Sequence, residues 1–388
     1  MKIKLSTILT IITALLFYNC AGQSLKLNFL NDQNFPTGSM AAQGEIGGLS
    51  GIAYDEENKK LYAVSDDKGE VNPPRIHVFN IEVEEKDGGK KIIFAPAETI
   101  FLKTETGGTF AIGHLDLEGI ALYGGNFLLS SEGMLKDDPA NPNNKVQPEM
   151  LLFGKDGLLK QRWPLPAKFI SQEGSGVRKN LVWEPLSKMG NSNVFWSGNE
   201  QPLKQDGPLV DINNDGPIRL IRMELANKDD NNYNLSYGPE YQYRIEKMPN
   251  PDNLPAIEGD NGLVDMIAIN EKEIITLERS WNDTMKRNFI RVFHTHIDTQ
   301  KANDISGQMS IQGVANTTTT KRLILDLDEI VPLLDKNFPR LDNIEAICLG
   351  PKLPNGSQII FLASDNNFSK SQRTLFLAFE LTFESAQK

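Results

Sequence analysis

Cysteine is nearly absent from the chain. Of its two cysteines, Cys20 directly follows the apolar N-terminus, so Cys348 has no internal partner and a disulfide framework is excluded. Cys348 sits in the apolar run Ile344 to Leu349 and reads as a small buried hydrophobe. Beyond the first twenty residues no apolar run approaches the roughly 18 residues that cross a bilayer as a helix. Positive charge is in deficit too: 40 Lys and Arg stand against 51 Asp and Glu, a formal charge of −11 that deepens if Lys2 and Lys4 are removed with a leader. That field excludes nucleic acid as a partner and favours cations, although a local basic patch could still hold a small anionic ester. Motifs for several enzyme classes are missing. Gly48-Leu49-Ser50-Gly51 has its second glycine one place too early for a G-x-S-x-G elbow, and no H-E-x-x-H, paired C-x-x-C or Walker loop occurs. Helical periodicity is weak outside Leu327 to Leu334, where a turn of helix is expected.

What is present begins with an address. Lys2 and Lys4, the apolar stretch Leu5 to Tyr18 and then Cys20-Ala21-Gly22 form the n-region, h-region and small-residue end of a secretory leader. The chain therefore divides into a leader over 1–22 and one domain over 23–388. Cys20 right behind the apolar run invites acylation as the first mature residue. Phe17, Tyr18 and Asn19 are poor neighbours for that cleavage, and plain cleavage near Gly22 is the alternative. An exported protein of the periplasm, or an outer-membrane lipoprotein, is expected. It would touch a membrane only through a lipid on Cys20, and a monomer is expected.

A pattern recurs five times: an acidic or Gly residue opens a short apolar strand, a turn follows, and a second apolar strand ends in Asp or Glu. The copies are 47–67, 116–133, 182–200, 262–280 and 342–367. With Ser50, Glu118, Glu184, Asp265 and Glu345 as equivalents, the starts lie 66 to 81 residues apart. Each hairpin is followed by further strand-like segments, except that the last has only Thr374 to Leu381. A four-stranded sheet repeated radially is the plan of an all-β β-propeller of about five blades. Six remain open if a long stretch between hairpins holds a degenerate blade. Ser24 to Leu30 is the expected donor of the missing strand, which would close the ring and leave no long open edge. Segments 82–90, 135–147, 201–216 and 298–318 read as rim loops. His294 and His296 alternate along an outer strand and face the same way.

The hairpins are similar to those of a known family. GGLSGIAYD with LYAVSDDKG, DLEGIALY with FLLSSEG, ITLERSW, and DNIEAICLGPKLPNG with FLASDNNF and FLAFEL resemble the phytase-like ("esterase-like activity of phytase") family over most of 45–381. DLEGIALY also resembles a stretch of the calcium-dependent β-propeller phytases. The resemblance implies a propeller, export, and hydrolysis of phosphate esters or related esters with calcium. Glu184-Pro185 departs from the acidic-Gly pair of the usual third hairpin.

The start of one strand and the end of its antiparallel partner share a rim. That geometry gathers Ser50 with Asp66 and Asp67, Glu118 with Glu132, Glu184 with Glu200, Asp265 with Glu278, and Glu345 with Asp365 around one channel mouth. Two like charges 4 Å apart repel by roughly 4 kcal/mol at an effective dielectric of 20, so such a ring needs a cation, raised pKa values or N–H partners. Calcium suits oxygen donors in irregular number. The expected ligands are Asp66, Asp67, Glu118, Glu132, Glu200, Glu278, Glu345 and Asp365, with Asn343 as a neutral one; acids bonded to neighbouring blades as structural clips are the other reading. Glu118 and Glu132 are the carboxylates expected to act on the ester, His114 is the candidate for proton transfer, and Arg279, Arg75 and Lys68 are the candidates for orienting the anion. A non-catalytic envelope propeller and a calcium-dependent lactonase-type hydrolase remain the competing functions.

Overall fold

The computed structural model describes residues 23–385 apart from 87, 136–145, 230–231, 256–257 and 316–318; the leader and Cys20 lie outside the described residues. After the N-terminal strand β1 (Gln23–Pro36), nineteen strands follow in blade order. Blade 1 holds β2 (Leu49–Asp55), β3 (Lys60–Ser65), β4 (Arg75–Lys86) and β5 (Gly89–Phe101). Blade 2 holds β6 (Leu117–Tyr123), β7 (Asn126–Ser131), β8 (Glu149–Gly154) and β9 (Leu159–Pro164). In blade 3 are β10 (Leu186–Lys188), β11 (Val194–Gly198), β12 (Gly216–Asp229) and β13 (Asn232–Ile245). Blade 4 has β14 (Gly259–Ala268), β15 (Glu273–Asn282), β16 (Arg287–Ile297) and β17 (Thr319–Asp326), and the last strands are β18 (Asn343–Lys352), β19 (Gln358–Asp365) and β20 (Arg373–Ser385).

The five sheets are four-stranded and antiparallel, and they form a ring: a five-bladed β-propeller. Blade 5 has the order β1-β20-β19-β18, with Leu27 opposite Leu381 and Phe35 opposite Thr374. The expected donor strand thus closes the ring, and it runs longer than Ser24 to Leu30. Its outer edge is stitched to blade 1, where Asn31 and Gln33 exchange side-chain bonds with the β5 backbone at Ile92 and Phe94. One loop reading is corrected: 82–90 is the tip of the long β4–β5 hairpin, paired from Glu82 opposite Ile93 to Lys86 opposite Gly89. The turn expected near 327–334 is a 3₁₀ helix over Leu327–Leu333.

Each blade is covered on both faces, and the period-two alternation of a strand divides its side chains between two cores. Along β19, Ile360 and Leu362 pack against blade 4 while Phe361 and Ala363 pack against blade 1. Three more clusters fill the junctions of blades 1 and 2, 2 and 3, and 3 and 4. Near the axis the inner strands approach so closely that only glycine fits at two positions. A Cβ on Gly51 would lie 2.3 Å from the Glu118 carbonyl oxygen, and one on Gly119 would lie 2.7 Å from that of Glu184 and 2.5 Å from Leu186 Cβ.

Gly119→Ala is therefore expected to lower the unfolding free energy by about 1–3 kcal/mol through overpacking. Denaturant unfolding is the measurement, and an unchanged midpoint would show that blades 2 and 3 do not approach this closely.

Candidate functional site

Strand irregularities aim the acids. In three blades the acid-position residue falls in a β-bulge: the registers slip between Leu49 and Gly51, between Leu117 and Ile120, and between Ile344 and Ala346. Ser50, Glu118 and Glu345 lie in those slips, where a bulged strand bends and re-aims its side chain. The result is a cavity of about 1110 Å³ at one end of the ring. Asp66, Glu118, Glu132, Glu184, Asp260, Glu345 and Asp365 line it, together with Lys68, Arg279, Asn180, Asn343 and Asn367. Trp281, Lys286, Arg287 and Arg340 also line it.

Two groups of three carboxylates stand out. In Asp66, Asp116 and Glu118, and again in Glu132, Glu184 and Glu200, one oxygen of each residue lies within 4.8 Å of the others. Lys68 Nζ sits 3.0 Å from Asp116 and 3.6 Å from Asp66. Arg279 donates to Asp260 at 2.7 Å and to Glu345 at 2.9 Å, and it stops 4.0 Å from Glu200. Asn343 donates to Glu345 at 2.8 Å, Val182 N–H to Glu132 at 2.7 Å, and Asn367 N–H to Asp365 at 2.7 Å. Both oxygens of Glu200, and one each of Asp66 and Asp116, are buried with no hydrogen-bond partner among the described residues.

The electrostatics follow from crowding. Burial and then the neighbouring acids Glu118 and Asp116 hold Asp66 well above the usual carboxylate range. Burial, then Asp116 and Glu132, do the same to Glu118, as burial and Glu200 do to Glu184. Glu132 is pushed up to about 8 by burial and Asp116, and Asp365 to about 7 by burial and Glu345. For the two cations burial acts in the opposite sense, but the acids outweigh it and keep Lys68 and Arg279 charged.

Of the residues expected at this mouth, the structure brings together Asp66, Glu118, Glu132, Glu345, Asp365, Asn343, Lys68 and Arg279, with Glu200 just behind. Five others are placed elsewhere. Asp67 and Arg75 pair with each other in a fully buried ion pair, and Asp67 also caps the turn through Val71 and Asn72 N–H groups. Glu278 faces the outer strands, held by Lys321, by the Tyr243 hydroxyl at 2.6 Å and by Glu246 N–H at 3.1 Å. His114 is solvent-exposed and does not line the cavity. Asp265 serves as a clip between blades, accepting Ile347 N–H at 2.8 Å. Asp116, Glu184 and Asp260 belong to the site but were absent from the expected ligand set. Asp116 had a readable signal, since it precedes Glu118 by two places along an extended segment and so shares its face.

Carboxylate and amide oxygens alone make up the donor set, and several are buried without partners. This chemistry fits a hard cation such as calcium and not a thiolate- or imidazole-seeking metal.

Comparison with known proteins agrees with the geometry. Residues 44–368 match the family model described as "Phytase-like: Esterase-like activity of phytase". The chain belongs to this phytase-like family. No curated protein sequence matches it. Among solved structures, an endo-arabinase from Bacteroides thetaiotaomicron is similar over 93% of this chain and 99% of its own, at 12% identity and a TM-score of 0.42. The PQQ-bound aldose sugar dehydrogenase of Streptomyces coelicolor covers 94% and 99% at 10% identity and a TM-score of 0.35. Likeness this loose assigns neither substrate nor chemistry to the phytase-like chain.

The raised carboxyl pKa values carry a stability consequence. The ordinary values for Glu132 and Asp365 are 4.5 and 3.8. The folded chain therefore holds these protons more tightly than the unfolded one, so their contribution is intact below the ordinary values and is lost as pH rises through about 7 to 8. In the presence of a chelator the melting temperature is expected to fall between pH 5 and pH 8, and Glu132→Gln, which cannot ionise, should flatten part of that slope. A melting temperature that climbs over this range would contradict the assignment.

Proposed function

We propose that the phytase-like chain is an exported hydrolase that cleaves a small anionic ester, of the phosphate-ester class, with calcium held at the acidic floor of the cavity. The observation that carries the reading is the juxtaposition, at one cavity, of two three-carboxylate groups, four of whose six members line it while Asp116 and Glu200 lie behind with unpartnered buried oxygens, and two cations that stay charged. Acids without a positive partner would suit a cation store. Cations set among them give an anion a place to bind.

Asp66, Asp116 and Glu118, and separately Glu132, Glu184 and Glu200, are the residues that would hold calcium. Bound there, the ion supplies positive charge against the phosphoryl oxygens and Lewis-acid polarisation of the ester. The chain's own groups do the rest. Lys68 and Arg279 orient the anion, Arg279 being fixed in direction by Asp260 and Glu345. As a water attacks phosphorus and the P–O bond to the alcohol breaks, Asp365, with a pKa near 7, is suited to deliver a proton to the leaving oxygen at neutral pH, while the proton of the attacking water passes to solvent. Its second oxygen stays available, because only Oδ1 accepts the Asn367 N–H. His114 has no part in this scheme, since it stands outside the cavity.

Release of phosphate or alcohol from generic esters, with calcium and with chelator, tests the reading. Activity is expected with calcium alone, and Glu118→Gln is expected to reduce kcat/KM by at least on the order of 10–100-fold. Tight calcium binding with no turnover of any phosphate ester or lactone would instead leave a non-catalytic binding propeller.

The leader reading adds that the chain acts outside the cytoplasm, as a monomer, anchored through an acylated Cys20. Incorporation of labelled palmitate should be lost in Cys20→Ser; an unlabelled wild-type chain would replace anchoring by plain secretion.

A further inference from the structure

We propose that the alcohol part of the ester carries a planar aromatic ring, held in the cavity against the indole of Trp281 and the apolar side chains of Val331, Pro332, Pro339 and Leu341. The inference rests on the hydrolase reading above and names the class of ester that the site takes. Trp281 and Arg279 stand two apart on β15, so both project from one face of the strand, and both line the cavity. Asp260 Oδ1 fixes the pair, accepting from Arg279 Nη1 at 2.7 Å and from the Trp281 backbone N–H at 3.3 Å. Two strand residues span roughly 7 Å, so an alcohol leaving from a phosphoryl group held at Arg279 is within reach of the indole.

The indole is not committed to the fold. Trp183 and Trp196 are fully buried in the apolar junctions between blades, whereas Trp281 is half-buried and belongs to none of the five cores among the described residues. Its ring N–H turns to Asp283 at 3.4 Å. The rest of the apolar lining comes from the 3₁₀ helix, which gives Val331 and Pro332, and from the link that follows it to β18, which gives Pro339 and Leu341; both prolines are exposed. Every other residue lining the cavity is polar or charged. The apolar surface is thus confined to one sector, blade 4 and its link to blade 5, where these four side chains offer a polyol no hydrogen-bond partner. At about 1110 Å³ the cavity also exceeds the ~300–1,000 Å³ of sites that enclose a whole drug-sized ligand, so a phosphoryl group alone leaves most of it unfilled. A flat ring covers such aromatic and proline surface and gains both apolar burial and a stacked face.

The test compares release of phosphate from benzyl phosphate and from ethyl phosphate by the full chain with calcium. Both are esters of primary alcohols, so the ring is the main difference between them. The ratio of their kcat/KM values is expected to favour the benzyl ester by roughly tenfold or more. It should fall toward unity in Trp281→Ala and recover in large part in Trp281→Phe. Pro339→Ser, at an exposed position off the strand, should lower the same ratio severalfold and serves if Trp281→Ala does not fold. Binding is read separately by calorimetry with the unreactive benzylphosphonate and ethylphosphonate, for which the same preference and the same loss are expected. A wild-type ratio near unity, or a benzyl preference that survives both Trp281→Ala and Pro339→Ser, would overturn the inference and leave the hydrolase reading standing. No turnover of either ester, with benzylphosphonate still bound preferentially and released by Trp281→Ala, would remove the hydrolase reading and keep the ring site; loss of both would remove both.

Discussion

Crowded negative charge on buried side chains is the condition that the rest of the site obeys. Blade after blade brings a carboxylate to the same end of the ring, and each new one raises the cost of ionising those already there. The fold answers locally with Lys68 against Asp66 and Asp116, and with Arg279 against Asp260 and Glu345. Those answers are incomplete, because Glu200 keeps two buried oxygens without donors. A site in that condition either holds protons at neutral pH or holds a cation, and the exchange between the two couples metal affinity to pH.

The packing that enforces this crowding is backbone to backbone. Gly51 and Gly119 let adjacent inner strands meet with no side chain between them, which draws the acid-bearing positions toward the axis. Blade 4 breaks the pattern. Its bulge falls at Val264, between Leu263 and Asp265, so Asp265 turns to clip blade 5 through Ile347 N–H, and Arg279 comes to the cavity instead. The ring of acids is therefore interrupted by a cation on one side, an asymmetry that would give the proposed anionic ester a defined orientation.

Much of this was legible in the sequence because it is local. The repeat of acid-tipped hairpins gives the blade number, and the strand missing after the last hairpin points to Ser24 to Leu30 as its donor. What escaped depends on partners distant in sequence. Nothing near Glu278 shows that Lys321, on the outermost strand of its blade, and Tyr243, from blade 3, hold it outward. Asp67 and Arg75 look like free charges until the turn between them folds back and buries both. Glu184 is followed by a proline where an acidic-Gly pair is usual, yet Glu184 lines the cavity, and β10 begins at Leu186, directly after Pro185.

The course of β1 has a consequence for orientation. Its last residue, Pro36, pairs with Arg373, next to Gln372 and Ser371 on the cavity wall, while its first, Gln23, pairs with Ser385 at the far end of the ring. A chain tethered by a lipid three residues before Gln23 would hang from its underside, with the acidic mouth turned toward open solvent.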